Sequence, residues 1–97
     1  MSETPQADRQ YARMVHDICP SARVYAREAE GVLDLWVVLP ERDEEIERAI
    51  AESACEIMRL YPHVDFDWML VTEQSPSVSD LETNGYVMVS AQLTRSA

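Results

Sequence analysis

The sequence predicts an α+β fold, a two-layer α/β sandwich of order α-β-β-α-β-β with both helices on one face of a mixed four-stranded sheet. Three observations predict it: a long apolar stripe at helical spacing in mid-chain, apolar-polar alternation at period two on either side of it, and a shorter helical stripe near the N-terminus.

Thr4-Pro5 is a helix-start signature, with Thr4 able to cap and Pro5 placed where its missing N–H is no loss. Tyr11, Met14, Val15 and Ile18 then recur at i, i+3, i+4 and i+7, and Pro20 stops the helix. Ala22 to Glu28 alternates loosely and, after Ala29-Glu30-Gly31, is followed by the stronger segment Val32 to Leu39, which together predict a β-hairpin. Leu33, Leu35, Val37 and Leu39 point to one face and Val32, Asp34, Trp36 and Val38 to the other, so this strand is expected to be central.

Residues 41–61 bring Ile46, Ala49, Ile50, Ala54, Ile57, Met58 and Tyr61 onto one helix face. Glu41, Asp43, Glu44, Glu45 and Glu47 crowd its N-terminal end and Arg59 lies near the other, as the helix dipole favours. Glu44 and Arg48 have the spacing of an exposed ion pair. Val64 to Thr72 alternates again, with Val64, Phe66, Trp68 and Leu70 opposite Asp65, Asp67, Met69 and Val71. Strand, helix, strand implies a right-handed crossover between parallel strands. Residues 73–85 are expected to be a polar loop, and Tyr86 to Thr94 a last strand with Val87, Val89, Ala91 and Leu93 inward.

The 97 residues are expected to form a single domain, with 46% apolar and 27% charged residues, a composition that folds. Eight arginines, no lysine and eighteen acids give a net charge of −10. Such a surface repels phosphate backbones and anionic headgroups, so no nucleic acid and no membrane partner is expected, whereas a basic protein partner suits it. The absence of a ~20-residue apolar run and of a secretory signal points to a cytoplasmic protein. In that compartment Cys19 and Cys55 read as small buried hydrophobes rather than a disulfide or a zinc site.

If both helices cover one sheet face, the other exposes Trp36, Val38, Met69 and Val71, enough apolar surface to predict a homodimer interface. The carboxylates that chemistry would use project away from the most apolar faces of their strands. Asp34, Asp65 and Asp67 stand within strands rather than loops, and if they converge they form the oxygen ligand set that Mg²⁺ takes. The alternative is that they pair with Arg23 or Arg27 on the hairpin, or face water. Trp36, Trp68, Tyr25 and Tyr86 offer stacking surfaces, but alternation sends Trp36 and Trp68 to opposite faces. The chain has no glycine-rich phosphate loop, nucleophile elbow or zinc-helix motif, and nothing gives His16 or His63 a catalytic role, so no catalytic residue is assigned.

The segment from Ala22 through the Val32–Leu39 strand, with Val64-Asp-Phe-Asp-Trp-Met-Leu-Val71 after the helix, resembles the core of the minimal nucleotidyltransferases. In that family a Gly-Ser turn precedes an Asp-x-Asp strand and a further aspartate lies on the strand after the next helix. The resemblance covers about half the chain. It matches Asp34 to the second aspartate of the pair and Asp65 or Asp67 to the later one, but Val32 stands where the first belongs and the chain has no Gly-Ser. It therefore implies a degenerate member that binds a divalent metal or nucleotide only if Asp34 and Asp67 converge. The residues themselves point first to a non-enzymatic, dimeric protein-interaction module that needs no cofactor.

Overall fold

The computed structural model describes residues 4–89. Helix α1 (Thr4–Ile18) leads into the hairpin of β1 (Arg23–Ala29) and β2 (Val32–Leu39), then α2 (Glu44–Leu60), β3 (Asp65–Thr72), a 3-10 turn (Pro76–Asp80) and β4 (Val87–Val89). The sheet has the order β3-β2-β1-β4, antiparallel except for the β2-β3 pair, so the mixed four-stranded sheet and the α-β-β-α-β-β order are as the sequence predicts. The expected last strand is described only over Val87–Val89, and positions 90–94 lie outside the described residues.

The hairpin closes in two residues, Glu30 at φ 55° and Gly31 at φ 82°. Two successive positive φ values define the type I′ turn, whose twist matches that of the flanking strands. Helix α2 begins at an observed cap: the Asp43 carboxylate accepts from the amides of Glu45 and Ile46, and Glu47 accepts from the Asp43 amide. Glu47 also pairs with Arg42 at 2.9 Å, which with the Asp43 amide holds its carboxyl below the usual range. The ion pair at this end is therefore Arg42–Glu47, where the spacing had suggested Glu44–Arg48.

Both helices pack on one face of the sheet. Ala7, Tyr11, Val15 and Cys19 of the α1 region and Ile50, Ala54 and Ile57 of α2 meet Val24, Ala26, Leu33, Leu35, Val37 and Leu39, with Phe66, Trp68 and Leu70 packed against them. Tyr11 is fully buried; its hydroxyl accepts from the Trp68 indole at 2.6 Å and donates to the Ile50 carbonyl at 3.4 Å, joining both helices to β3. Burial holds that phenol far above its ordinary pKa. The α2 stripe is narrower than its apolar residues suggest: Met58 and Cys55 lie exposed on its flanks, so Cys55 is not a core residue, whereas Cys19 is. Val89 reaches the core but Val87, expected inward, is 68% exposed, because the core extends along β4 only to Val89.

The other sheet face differs most from expectation. Residues 73–85 are not simply a polar loop: they turn back over the sheet and bury Leu81, at 2% exposure, against Val38, Tyr25 and Tyr86. Val78, Trp36 and Val71 pack around this second, smaller core. Burying one leucine side chain contributes about 2 kcal/mol toward seating the segment.

Candidate functional site

Strand alternation and register determine what the covered face presents. Arg27 stands opposite Asp34 in the antiparallel β1-β2 pair, and Asp34 opposite Asp67 in the parallel β2-β3 pair. These three side chains form a row across the sheet, with Ala29, Val32 and Asp65 as the row on one side of it and Tyr25, Trp36 and Met69 on the other. Asp34, Asp65 and Asp67 thus share one face, as the sequence left open.

The row is closed at one end by the segment that precedes β4. Tyr86 crosses Arg27, donates its hydroxyl to the Asp34 carboxylate, and meets Trp36 edge-on with ring centres 5.9 Å apart. The Arg27 guanidinium lies 4.8 Å from the Tyr86 ring centre and donates to the Asn84 carbonyl at 2.9 Å. Arg27 therefore holds the covering segment down instead of forming an ion pair with the aspartate opposite it. Burial, and then the neighbouring Asp34 carboxylate, raise the Tyr86 phenol above its ordinary value. At the segment's other end Arg23 reaches Glu73 at 3.5 Å and the Tyr25 hydroxyl at 3.2 Å.

The covering segment leaves part of the face open. A depression of about 350 Å³ is lined by Arg27, Ala29, Glu30, Val32, Asp34 and Asp67. Asp65 and Asp67 on β3 are exposed, and Met69, next along the same face, is 46% exposed. The four residues expected at an interface consequently divide. Val38 is fully buried under the segment, Trp36 and Val71 pack at its margin, and Met69 alone is broadly accessible.

Chemically the open part is a carboxylate ledge with an apolar margin. Asp34 accepts from Tyr86, and Asp67 accepts from the amide of Trp68 at 3.0 Å. Among the described residues no group of three or more His, Cys, Asp and Glu side chains is placed to hold a metal ion. The cleft at the C-terminal ends of β2 and β3, where open parallel sheets place phosphates, contains Arg42 and Glu47, and the first amides of α2 there are taken by Asp43. His16 is occupied structurally, its Nε2 3.0 Å from the Ala22 carbonyl, while His63 is exposed. No helix among the described residues is long and apolar enough to cross a membrane.

Sequence reasoning missed the roles of Leu81 and Tyr86 and the clamp made by Arg27. Ser75-Pro76 followed by Val78 and Leu81 at i, i+3 spacing is a short helical signal with an apolar side, and it was legible. Comparison with protein-family models, with curated proteins and with solved structures gave no match to this chain.

Proposed function

We propose that the chain is a non-enzymatic protein-interaction module whose partner is a basic protein segment held on the ledge of Asp34, Asp65 and Asp67. The observation that supports this is the in-register pairing of Asp34 with Asp67, with Asp65 one row away, on the part of the sheet that the covering segment leaves open. Like charges on adjacent strands destabilise a sheet, and a guanidinium or ammonium group offsets that repulsion. Met69 and Val32 give the apolar stem of a long basic side chain a surface to lie on. The net charge of −10 steers a basic partner in and repels a second copy of the chain. A homodimer across this face also has only a divided apolar surface to bury, because Val38 lies beneath Leu81 and the broadly exposed Met69 and Met88 stand at opposite edges of the sheet.

Calorimetric titration with a synthetic arginine-rich peptide tests the proposal. Binding is expected at low salt, falling as salt rises, and the Asp65→Asn, Asp67→Asn double variant should weaken it about tenfold. The control is Glu52→Gln with Glu56→Gln, which removes the same charge from the exposed side of α2. Equal weakening by the two pairs overturns the ledge as the site, and no binding at low salt overturns the function.

A further inference from the structure

Strand β3 is an edge: among the described residues it pairs with β2 alone. Within a parallel pair, a residue sends its N–H and C=O to the same side and its neighbours send theirs to the other. The Glu73 amide donates to the Leu39 carbonyl at 2.9 Å, so the odd-numbered residues face β2. The Trp68 amide, pointing the other way, is taken by the side chain of its own neighbour Asp67. Phe66, Trp68 and Leu70 therefore direct their backbone groups outward along an eight-residue strand, and Asp67 occupies the middle outward amide.

This arrangement bears on how a basic segment is recognised. We infer that β3 takes its partner by strand addition, with basic side chains at two alternate positions of the added strand lying beside Asp65 and Asp67 and an apolar side chain at the next alternate position lying beside Met69. The inference rests on the reading of the ledge as a site for a basic partner, and specifies its geometry. Side chains of an added strand on the open face recur every second residue, about 6.6–6.8 Å apart, as Asp65, Asp67 and Met69 do. An incoming carbonyl takes over the Trp68 amide from the Asp67 carboxylate. The released carboxylate then turns to the arriving cation, so backbone pairing and charge pairing form together. Inward-pointing side chains of the added strand extend the layer beside Phe66, Trp68 and Leu70, each still partly exposed at this edge. Edge carboxylates also discourage indiscriminate pairing, and a strand with basic side chains at this spacing is the one they admit.

The test uses blocked heptapeptides with threonine at the odd positions and arginine, arginine and leucine at the second, fourth and sixth, together with the reversed sequence and a version of equal composition with the arginines adjacent. One alternating peptide is expected to bind at least about tenfold tighter than the adjacent-arginine peptide. It should slow amide exchange at Phe66, Trp68 and Leu70, and lose about tenfold in affinity on Asp67→Asn, with no fall in the melting temperature of the free variant. Equal binding of the adjacent-arginine peptide, or binding without slowed exchange at those amides, overturns strand addition and leaves the basic-partner reading standing. Failure of all three peptides and of the longer arginine-rich peptide overturns both.

Discussion

The Tyr86 hydroxyl donates to the Asp34 carboxylate across 52 residues of sequence, and the same ring carries the Arg27 guanidinium on its face. One side chain thus joins the covering segment to both strands of the hairpin. It also fixes Asp34 at the boundary between the covered and open parts of the sheet face. The segment and the ledge are for that reason linked: whatever loosens Tyr86 alters the carboxylate that a partner meets.

Tyr86→Phe keeps the ring and its contact with Trp36 but leaves Asp34 without its donor. A hydrogen bond to a charged group contributes roughly 1.5–3 kcal/mol, so the variant should lose stability of about that size in urea denaturation. A water that replaces the hydroxyl brings the loss toward the lower end. Asp34→Asn, which can still accept from Tyr86, should lose less. An equal or larger loss in Asp34→Asn would mean that the hydrogen bond contributes little.

Leu81→Ala removes the one fully embedded apolar side chain of the covering segment. Truncating a buried leucine costs about 2.7–5 kcal/mol where the cavity cannot relax; a surface segment can settle, so about 2–3 kcal/mol is expected here. Trp36, packed against this small core, should then report a wetter environment by red-shifted fluorescence, while Trp68, tied to Tyr11 on the other face, should not. A Trp36→Phe background separates the two signals. Unchanged Trp36 emission in a destabilised Leu81→Ala would show that the segment stays seated without this anchor.

The division between what was legible and what was not follows from period and distance. Ile50, Ala54 and Ile57, or Leu33, Leu35 and Val37, are set by local periodicity that one helix or strand must obey, and both layers follow from them. The common face of Asp34, Asp65 and Asp67 depends on the β2-β3 register, which no local pattern specifies, although alternation already placed each aspartate opposite the apolar side of its own strand. The short helical turn of the covering segment was legible, but where it seats on the sheet was not, for another reason. Its two buried contributions, Leu81 and Tyr86, are isolated among Ser, Asp, Glu, Thr, Asn and Gly, and their value comes from Val38, Tyr25 and Asp34, more than forty positions earlier in the chain. The exposed edge of α2 at Cys55 and Met58 shows the converse, an apolar pattern broader than the surface available to bury it.

Asp8 provides a pH dependence. Burial raises its carboxyl above the ordinary 3.8, the charge of Glu28 adds to this, and its Oδ1 is buried without a hydrogen-bond partner. A carboxyl raised by folding favours the folded state below its unfolded pKa, and that contribution is lost as pH rises through the folded value. At neutral pH the ionised Asp8 therefore opposes folding. Asp8→Asn should raise the melting temperature at pH 7, and the gain should shrink as pH falls toward 4. A gain that is the same at both pH values, or a loss at pH 7, would exclude ionisation as the cause.

The hairpin turn contains a residue its geometry does not favour. Glu30 adopts φ 55° and Gly31 φ 82°, and the left-handed region is unfavourable for an ordinary L-residue by roughly 1–2 kcal/mol. Asparagine is accommodated there by local hydrogen bonding, and Asn-Gly is the preferred pair for a type I′ turn. Glu30→Asn should therefore stabilise the chain by about 0.5–1 kcal/mol. Gly31→Ala meets no steric obstruction, since nothing lies within 4 Å of an added Cβ, so its expected loss of about 1 kcal/mol isolates the backbone term. Glu30 also lines the depression beside Asp34 and Asp67. Glu30→Asn removes a charge from that rim while stiffening the turn, so affinity for an arginine-rich peptide should fall as stability rises. Parallel changes in the two measurements would place Glu30 outside the ledge.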